Sequence, residues 1–316
     1  MVISPSPHLR RERDVAWIME RVLLALLPAT FGGLYRYGPS ALPVLAAALG
    51  GAVAGEAFWV VTIKCPKILR DRSCLVTGLL LALLLPPRLP WWMALAGGLF
   101  ATGMVKGAFG GLGSNFLNPA LAARALLLAS WPVAMTTWVV SPDALASATP
   151  LAGAFPKETG LAAAHLSWMA LFWSGGGGSL GETSPLAILL GAAYLLAIGV
   201  IDCRIPAGFL STLAVGGWVL GGYNGLGSGD PLFQVVAGGA LLGAFFMATD
   251  YVTAPVTRGG RWIYGLGCGA LTLLIRLYGG YPEGVTYGVL LMNIAAPLLE
   301  KATRPRLYGD KGAVRR

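Results

Sequence analysis

Apolar segments long enough to form membrane helices recur along nearly the whole chain. A bilayer core requires about 20 apolar residues per helix, and ten segments approach that length. They are residues 15–35, 42–61, 74–87, 90–107, 118–133, 184–201, 206–222, 231–249, 261–277 and 283–300. The third and fifth are short and flank Gly- and Pro-rich breaks, which favours discontinuous helices there. We therefore predict an all-α polytopic membrane protein with about ten transmembrane helices in two five-helix halves.

The composition excludes a soluble domain and a nucleic-acid-binding protein. Only 12% of the residues are charged, whereas a soluble domain has about 25%. The net charge of +9 does not indicate nucleic-acid binding, because no basic patch is interleaved with aromatic residues. We expect no cleavable signal peptide, because the apolar run at 22–27 lacks a small-residue cleavage site.

Basic residues are concentrated at the termini and in alternate loops. Eighteen of the 23 Lys and Arg residues fall on one side of the predicted bundle. These eighteen are Arg10, Arg11, Arg13, Arg21, Lys64, Lys67, Arg70, Arg72, Lys106, Arg204, Arg258, Arg261, Lys301, Arg304, Arg306, Lys311, Arg315 and Arg316. Basic loops remain in the cytoplasm, so we predict that both termini are cytoplasmic and that the loop 134–183 is outside.

This orientation divides the chain into five regions. Residues 1–14 are a cytoplasmic amino terminus, 15–133 the first membrane half, 134–183 an extracytoplasmic loop, 184–300 the second membrane half, and 301–316 a cytoplasmic basic tail.

Two helix starts resemble each other at an offset of 141 residues. Residues 90–98, which begin Pro-Trp-Trp and end Gly-Gly, are similar in pattern to residues 231–239. Two alternatives stay open: a true internal repeat, or chance similarity of helix-start signals. A two-halved bundle with broken helices is a common way to form a cavity near the membrane midplane.

The segment between the fourth and fifth predicted spans combines glycines with amide side chains. Its candidate ligand-binding residues are Gly110, Gly111, Gly113, Asn115 and Asn118. Glycine permits close backbone approach to a ligand, and Asn118 before Pro119 is typical of a helix start with free N–H groups. The alternative is a Gly-rich turn between two helices.

Three carboxylates lie within or at the edges of predicted spans, where a charge is costly and often functional. Glu56 is in the second span, Asp250 follows the eighth, and Glu283 begins the tenth. We treat them as candidates for an ion path. The alternatives are structural: pairing of Asp250 with Arg258, pairing of Glu283 with Arg276, and a buried pair or helix interface at Glu56.

No catalytic constellation or metal site is predicted. The two histidines, His8 and His165, are far apart, and none of the four cysteines forms a Cys-x-x-Cys pair. Cys65, Cys74, Cys203 and Cys268 are interpreted as small apolar filler or free thiols, with a shared metal site as the alternative.

The polar segment 143–150 stands out from the apolar chain. It runs Asp-Ala-Leu-Ala-Ser-Ala-Thr-Pro, and its Asp, Ser, Thr and Pro residues favour turns over helix. It resembles the sequence in which a flavin transferase esterifies a threonine hydroxyl, here that of Thr149, with the phosphate of FMN.

Together these segments, with the stretch 71–82, resemble the family that comprises the RnfD proteins of Rnf complexes and, more distantly, the NqrB proteins of the sodium-pumping NADH:quinone reductases. The resemblance covers about nine-tenths of the chain, and the early first span favours the Rnf branch. One departure is Ser147, where many family members have glycine.

The resemblance implies a covalent FMN on Thr149 and a second, noncovalent flavin (riboflavin) near Gly110–Gly113 and Asn115 or Asn118. Asp143 is expected either to be recognised by the transferase or to orient the loop. The implied fold is a urea-transporter-like bundle. The implied partners are the other Rnf subunits (A, B, C, E and G), the flavin transferase and membrane lipid, in a bacterial or archaeal plasma membrane.

The implied activity is electron transfer between ferredoxin and NAD, coupled to translocation of Na⁺ or H⁺. The alternative from another class is a solute channel or transporter with the same bundle and no redox cofactor.

Overall fold

The computed structural model describes residues 14–63, 71–141, 144–146, 172, 178–220, 227, 229–279 and 284–305. The helices of the first half are α1 (Val15–Tyr37), α2 (Leu42–Ile63), α3 (Ser73–Leu84), α4 (Trp91–Leu99), the π-helix π1 (Phe100–Gly107), α5 (Pro119–Ser130) and α6 (Pro132–Thr136). Those of the second half are α7 (Pro185–Ala197), α8 (Arg204–Leu220), α9 (Pro231–Val236), α10 (Ala240–Leu242), the π-helix π2 (Gly243–Met247), α11 (Arg258–Tyr278) and α12 (Val285–Ala302). Two 3₁₀ turns occupy Gly38–Ala41 and Leu180–Glu182.

These helices confirm the predicted all-α class. The described strands form one short antiparallel hairpin, in which β1 (Trp138–Ser141) pairs with β2 (Ala144–Ala146). By length and composition, the continuous helical stretch Val15–Thr62 is suited to crossing a membrane. Shorter apolar helices follow at Ser73–Leu84, Pro119–Ser130, Pro185–Ala197 and Arg204–Leu220.

Proline and glycine determine where several helices end. Helix α3 stops at Leu84, before Pro86 and Pro87, because a residue preceding proline disfavours helical dihedrals. The predicted span 231–249 is broken at Gly238 and Gly239, whose φ values are +69° and +66°. The segment 231–249 therefore forms the three shorter elements α9, α10 and π2 instead of one continuous helix.

Helices α3 and α5 are half-length elements. Each has 12 residues and is therefore about 18 Å long, short of the roughly 30 Å hydrocarbon core. The backbone N–H of Leu180 donates to the carbonyl of Leu85 just beyond α3 (3.2 Å). The 3₁₀ turn that precedes the second half thus contacts the carboxyl end of α3.

The backbones of α2 and α4 approach closely through glycines. A Cβ atom on Gly98 would lie 2.5 Å from the carbonyl oxygen of Ala48 and 2.7 Å from the amide nitrogen of Ala52. Gly51 faces the backbone of Leu95 in the same contact. Small residues that allow such approach are the usual basis of helix packing in membranes.

We expect Gly98→Ala to destabilise the protein by about 1–3 kcal/mol, because the added methyl group overpacks the α2–α4 contact. The matched control is Gly50→Ala in α2, where an added Cβ meets no atom within 4 Å. That variant should keep or slightly raise stability, since alanine is the better helix former. Thermal unfolding in detergent measures both, and equal melting temperatures would contradict the packing argument.

Each half contains one helix pair with an especially large contact. In the first half α2 packs most extensively against α4, and in the second α8 packs against α11. Pro90 therefore begins the helix that packs on α2, whereas Pro231 begins α9, which precedes the corresponding helix α11. The two similar segments therefore begin helices that pack differently, and the internal repeat stays a prediction. Both segments lead into π-helices, at Phe100–Gly107 and Gly243–Met247.

Candidate functional site: an amphipathic cavity between the halves

A cavity, which we call the main cavity, lies where α1, α3, π1, the amino end of α5, α7 and π2 meet. Its apolar lining residues include Val22, Val76, Leu80, Phe245 and Phe246. Its polar lining residues are Ser73, Thr77, Lys106, Asn115, Asn118, Thr249, Asp250 and Tyr251. Apolar walls with a few convergent polar groups are typical of small-molecule and cofactor sites. The sequence placed these polar residues in separate motifs, and the fold brings them together.

The side chain of Asn118 connects two of the elements that line this cavity, α5 and π2. Its side-chain oxygen accepts hydrogen bonds from the backbone N–H groups of Ala120 (3.1 Å) and Leu121 (3.3 Å), which caps α5. Its amide nitrogen donates to the carbonyl of Met247 at the end of π2 (3.3 Å). Asn118 thus lines the cavity with its side-chain amide already engaged, which favours a positioning role over direct ligand binding.

Asn115 differs from Asn118 in having capacity left for a ligand. Its side-chain nitrogen donates to the carbonyl of Leu117 (3.1 Å). Its side-chain oxygen is buried and has no hydrogen-bond partner within the described residues. A buried acceptor without a donor is costly, so a ligand N–H or O–H group would satisfy it.

The three glycines of the same motif lie in a turn and do not line this cavity. Gly110, Gly111 and Gly113 have φ values of +107°, +92° and +99°, which favour glycine over residues with a Cβ atom. Gly110 and Gly111 border a small adjacent cavity with Glu56 and Lys106. Gly113 borders neither cavity.

Lys106 and Glu56 form a buried ion pair beside the main cavity. The Nζ atom of Lys106 donates to Glu56 of α2 and to the hydroxyl of Ser73 at the start of α3. The two charged residues are only 3% and 2% exposed. The sequence analysis assigned Lys106 to the loop after the fourth span, and that was wrong: π1 extends to Gly107, and the Lys106 side chain is buried.

This ion pair corresponds to the structural alternative given for Glu56, which was a buried pair. Yet Oε2 of Glu56 has no hydrogen-bond partner in the described part of the chain, so one oxygen of a buried carboxylate remains available. Glu56 therefore stays a candidate for ion contact. Among the described residues there is no group of three or more His, Cys, Asp or Glu side chains that could hold a metal ion.

Asp250 lies where the main cavity meets a second one. Its carboxylate accepts hydrogen bonds from the N–H of Val252 (3.4 Å) and the hydroxyl of Thr253 (3.2 Å). Within the described residues no basic side chain pairs with it, so the proposed Asp250–Arg258 pair is not formed. The neighbouring Tyr251 hydroxyl donates to the carbonyl of Val200, and both residues line both cavities.

The second cavity carries charge of both signs. Asp202 pairs there with Arg204 (2.6 Å) and Arg261 (2.7 Å). Partial burial opposes ionisation of Asp202, but a backbone hydrogen bond from Arg204 and the two guanidinium groups outweigh it and lower the pKa of Asp202 below its usual value. Asp202 therefore stays ionised, and its ion pairs fasten the loop before α8 to the start of α11.

Glu182 is a buried acidic residue that the sequence reasoning missed. It lies in the 3₁₀ turn before α7, is 8% exposed, and interacts electrostatically with Arg124 of α5 and Arg276 of α11. One of its oxygens has no hydrogen-bond partner within the described residues. The available signal was the pair of arginines inside predicted spans, since an intramembrane arginine requires a partner.

Arg276 also holds the break between α9 and α10. Its guanidinium donates to the carbonyls of Gln234 (2.6 Å), Ala237 (3.0 Å) and Gly238 (3.2 Å). Its proposed partner Glu283 lies outside the described residues, as do Asp143, Ser147 and Thr149. Cys74, Cys203 and Cys268 are free thiols, and Cys65 is outside the described residues.

Comparison with known proteins identifies the family. The sequence model described as "NQR2, RnfD, RnfE family" matches residues 2–309. The chain is 47% identical to the D component of the Na⁺-translocating ferredoxin:NAD⁺ oxidoreductase complex of Acetobacterium woodii, over 98% of this chain and 95% of that protein. It is 43% identical to the D component of the proton-translocating ferredoxin:NAD⁺ oxidoreductase complex of Clostridium ljungdahlii, over 98% and 96%.

A third relative is the D component of the ion-translocating oxidoreductase complex of Stutzerimonas stutzeri, which is 41% identical over 92% of this chain and 91% of that protein. The family match and these identities extend over nearly the whole chain and include every region that lines the cavity. This membrane protein therefore belongs to the NQR2, RnfD, RnfE family.

Proposed function

We propose that this chain is the RnfD component of an Rnf-type ion-translocating ferredoxin:NAD⁺ oxidoreductase. The observation that carries the proposal is the 47% identity with the Acetobacterium woodii protein over nearly the full length of both chains. The partners are then the other Rnf subunits, A, B, C, E and G, because one membrane chain does not contain the whole electron path.

The proposed topology is a ten-span, urea-transporter-like bundle in a bacterial or archaeal plasma membrane, with both termini in the cytoplasm. Helical elements occupy each of the ten apolar segments. Arg258 and Arg261 at the start of α11 lie at the same end of the bundle as Lys301 at the end of α12. This clustering agrees with the positive-inside rule.

The proposed cofactors are FMN esterified to Thr149 and a noncovalent riboflavin in the main cavity. The lining of the cavity has the chemistry that a flavin requires: Asn115 offers an unused acceptor for a ring N–H, and Leu80, Phe245 and Phe246 supply apolar surface for the ring. A flavin there would supply one- and two-electron chemistry, while the protein provides orientation, burial and hydrogen bonds.

The decisive experiment measures electron transfer and ion uptake together in inverted vesicles that contain the intact complex. We expect reduced ferredoxin to drive NAD⁺ reduction and ion accumulation, and loss of both when the chain is absent. Repeating the assay with and without Na⁺ identifies the ion. Normal ferredoxin-dependent NAD⁺ reduction in membranes without this chain would contradict the proposal and favour a solute transporter.

Asp250 and Glu283 are proposed residues of the ion path. We expect Asp250→Asn or Glu283→Gln to lower ion uptake per NAD⁺ reduced by on the order of tenfold, a change that corresponds to about 1.4 kcal/mol in the barrier, with flavin content unchanged. The matched control is Asp230→Asn, which removes a charge from an exposed helix cap that asparagine serves equally well. Unaltered ion uptake in either path variant would remove that residue from the path.

A further inference from the structure

A groove separates the start of α11 from the end of α12. The Thr257 hydroxyl caps α11 by accepting from the N–H of Gly260 (3.1 Å), and it also contacts the hydroxyl of Thr303 just after α12. This contact fixes the two helix ends side by side. We call the depression lined by Thr257, Arg258, Pro297, Lys301, Thr303 and Arg304 the basic groove.

The basic side chains of the basic groove are exposed and have no acidic partner within the described residues. Arg258, Lys301 and Arg304 have no hydrogen bond or ion pair within the described residues, and Glu300 is the acidic residue of the same lining. The groove therefore carries a formal net charge of +2. The nearby Arg204 and Arg261 are, in contrast, both paired with Asp202.

Exposed apolar side chains lie on both helices within two turns of the basic groove. Trp262 and Leu266 follow Arg258 at four-residue spacing on α11 and are each 44% exposed. Ile294 and Leu298 precede Lys301 on α12 and are 58% and 70% exposed. Residues four apart share one helix face, so positive charge at the helix ends adjoins hydrocarbon surface, with a tryptophan near the boundary.

We propose that the basic groove binds the headgroup of an anionic phospholipid, whose acyl chains lie along the exposed faces of α11 and α12. The phosphate meets Arg258, Lys301 and Arg304, as basic pockets between membrane helices commonly do. Trp262 lies at the headgroup level, where tryptophan is enriched. A free phosphate would use the cations alone and leave the adjoining apolar surface unexplained. This site does not depend on the redox function.

Native mass spectrometry of the purified full-length chain tests the site. Phosphatidylglycerol and phosphatidylcholine with identical acyl chains are added at equal concentration. We expect a retained phosphatidylglycerol adduct that the triple variant R258Q/K301Q/R304Q weakens at least about tenfold, since each basic residue near a lipid surface contributes roughly fivefold in affinity. The control K311Q/R315Q/R316Q removes equal charge from the tail and should retain the adduct.

Glu300→Gln gives a test in the opposite direction, because it removes the acidic residue of the groove and should strengthen the adduct by about fivefold. Equal retention of the two lipids would overturn the proposal. So would an equal loss in the tail control, which would indicate diffuse charge attraction. Displacement of the lipid by millimolar inorganic phosphate would assign the cations to a soluble anion instead.

Discussion

Replacing Thr149 by alanine is expected to abolish the flavin fluorescence of the chain completely. A phosphoester requires the threonine hydroxyl, and alanine offers no acceptor atom. The wild-type chain, made in cells that contain the flavin transferase, should fluoresce under ultraviolet light on a denaturing gel at its mass of 32.8 kDa. The Thr149→Ala band should be dark at equal protein loading.

Two neighbouring variants make this result specific. Thr159→Ala removes another threonine hydroxyl from the same loop and should leave the fluorescence intact. Ser147→Gly keeps a small residue two positions before Thr149 and should also be fluorescent. A dark wild-type band in the presence of the transferase would refute the covalent flavin, and a fluorescent Thr149→Ala band would place it on another residue.

Lys106→Met should destabilise the protein by about 3–5 kcal/mol, because it leaves the carboxylate of Glu56 buried without its cation. The double variant Lys106→Met with Glu56→Leu should recover most of that loss, since a buried pair replaced by apolar residues is often close to neutral. Thermal unfolding in detergent, followed by tryptophan fluorescence, measures both variants.

The control is a more exposed ion pair in the same protein. Arg204 and Asp202 are 32% and 24% exposed, so Arg204→Met should cost under about 1 kcal/mol. If Lys106→Met costs no more than Arg204→Met, burial of the Lys106–Glu56 pair has no energetic consequence. Ion uptake by the double variant then separates roles: a stable complex without uptake assigns the pair to ion transfer, and normal uptake assigns it to folding.

The sequence predicted helical elements well, because apolar length, proline and glycine act locally. The helix starts at Val15, Pro119 and Pro185 fall within one residue of the predicted segments. The break at Gly238 and Gly239 within a predicted continuous span depends on positive φ values, and a glycine in an apolar run does not distinguish a break from close helix packing.

The candidate site was less accessible to sequence reasoning, because its residues meet only through tertiary contacts. Asn115, Asn118 and Asp250 were selected individually, and the fold places them around one cavity. The partner of Glu56 was not identified, because the sequence analysis assigned Lys106 to a loop. Glu182 was overlooked for a related reason: its arginine partners lie 58 and 94 residues away in the sequence.

The π-helix at Phe100–Gly107 makes this part of the protein sensitive to chain length as well as to residue type. Each residue advances an α-helix by about 100°, and a π turn accommodates one additional residue within an otherwise continuous helix. Deleting the additional residue would let the segment wind as an ordinary helix with its flanking residues in register, whereas a further insertion would rotate Lys106 by about 100° away from Glu56. Natural variation in this segment should therefore include substitutions and single-residue deletions, and insertions should accumulate in the loops instead.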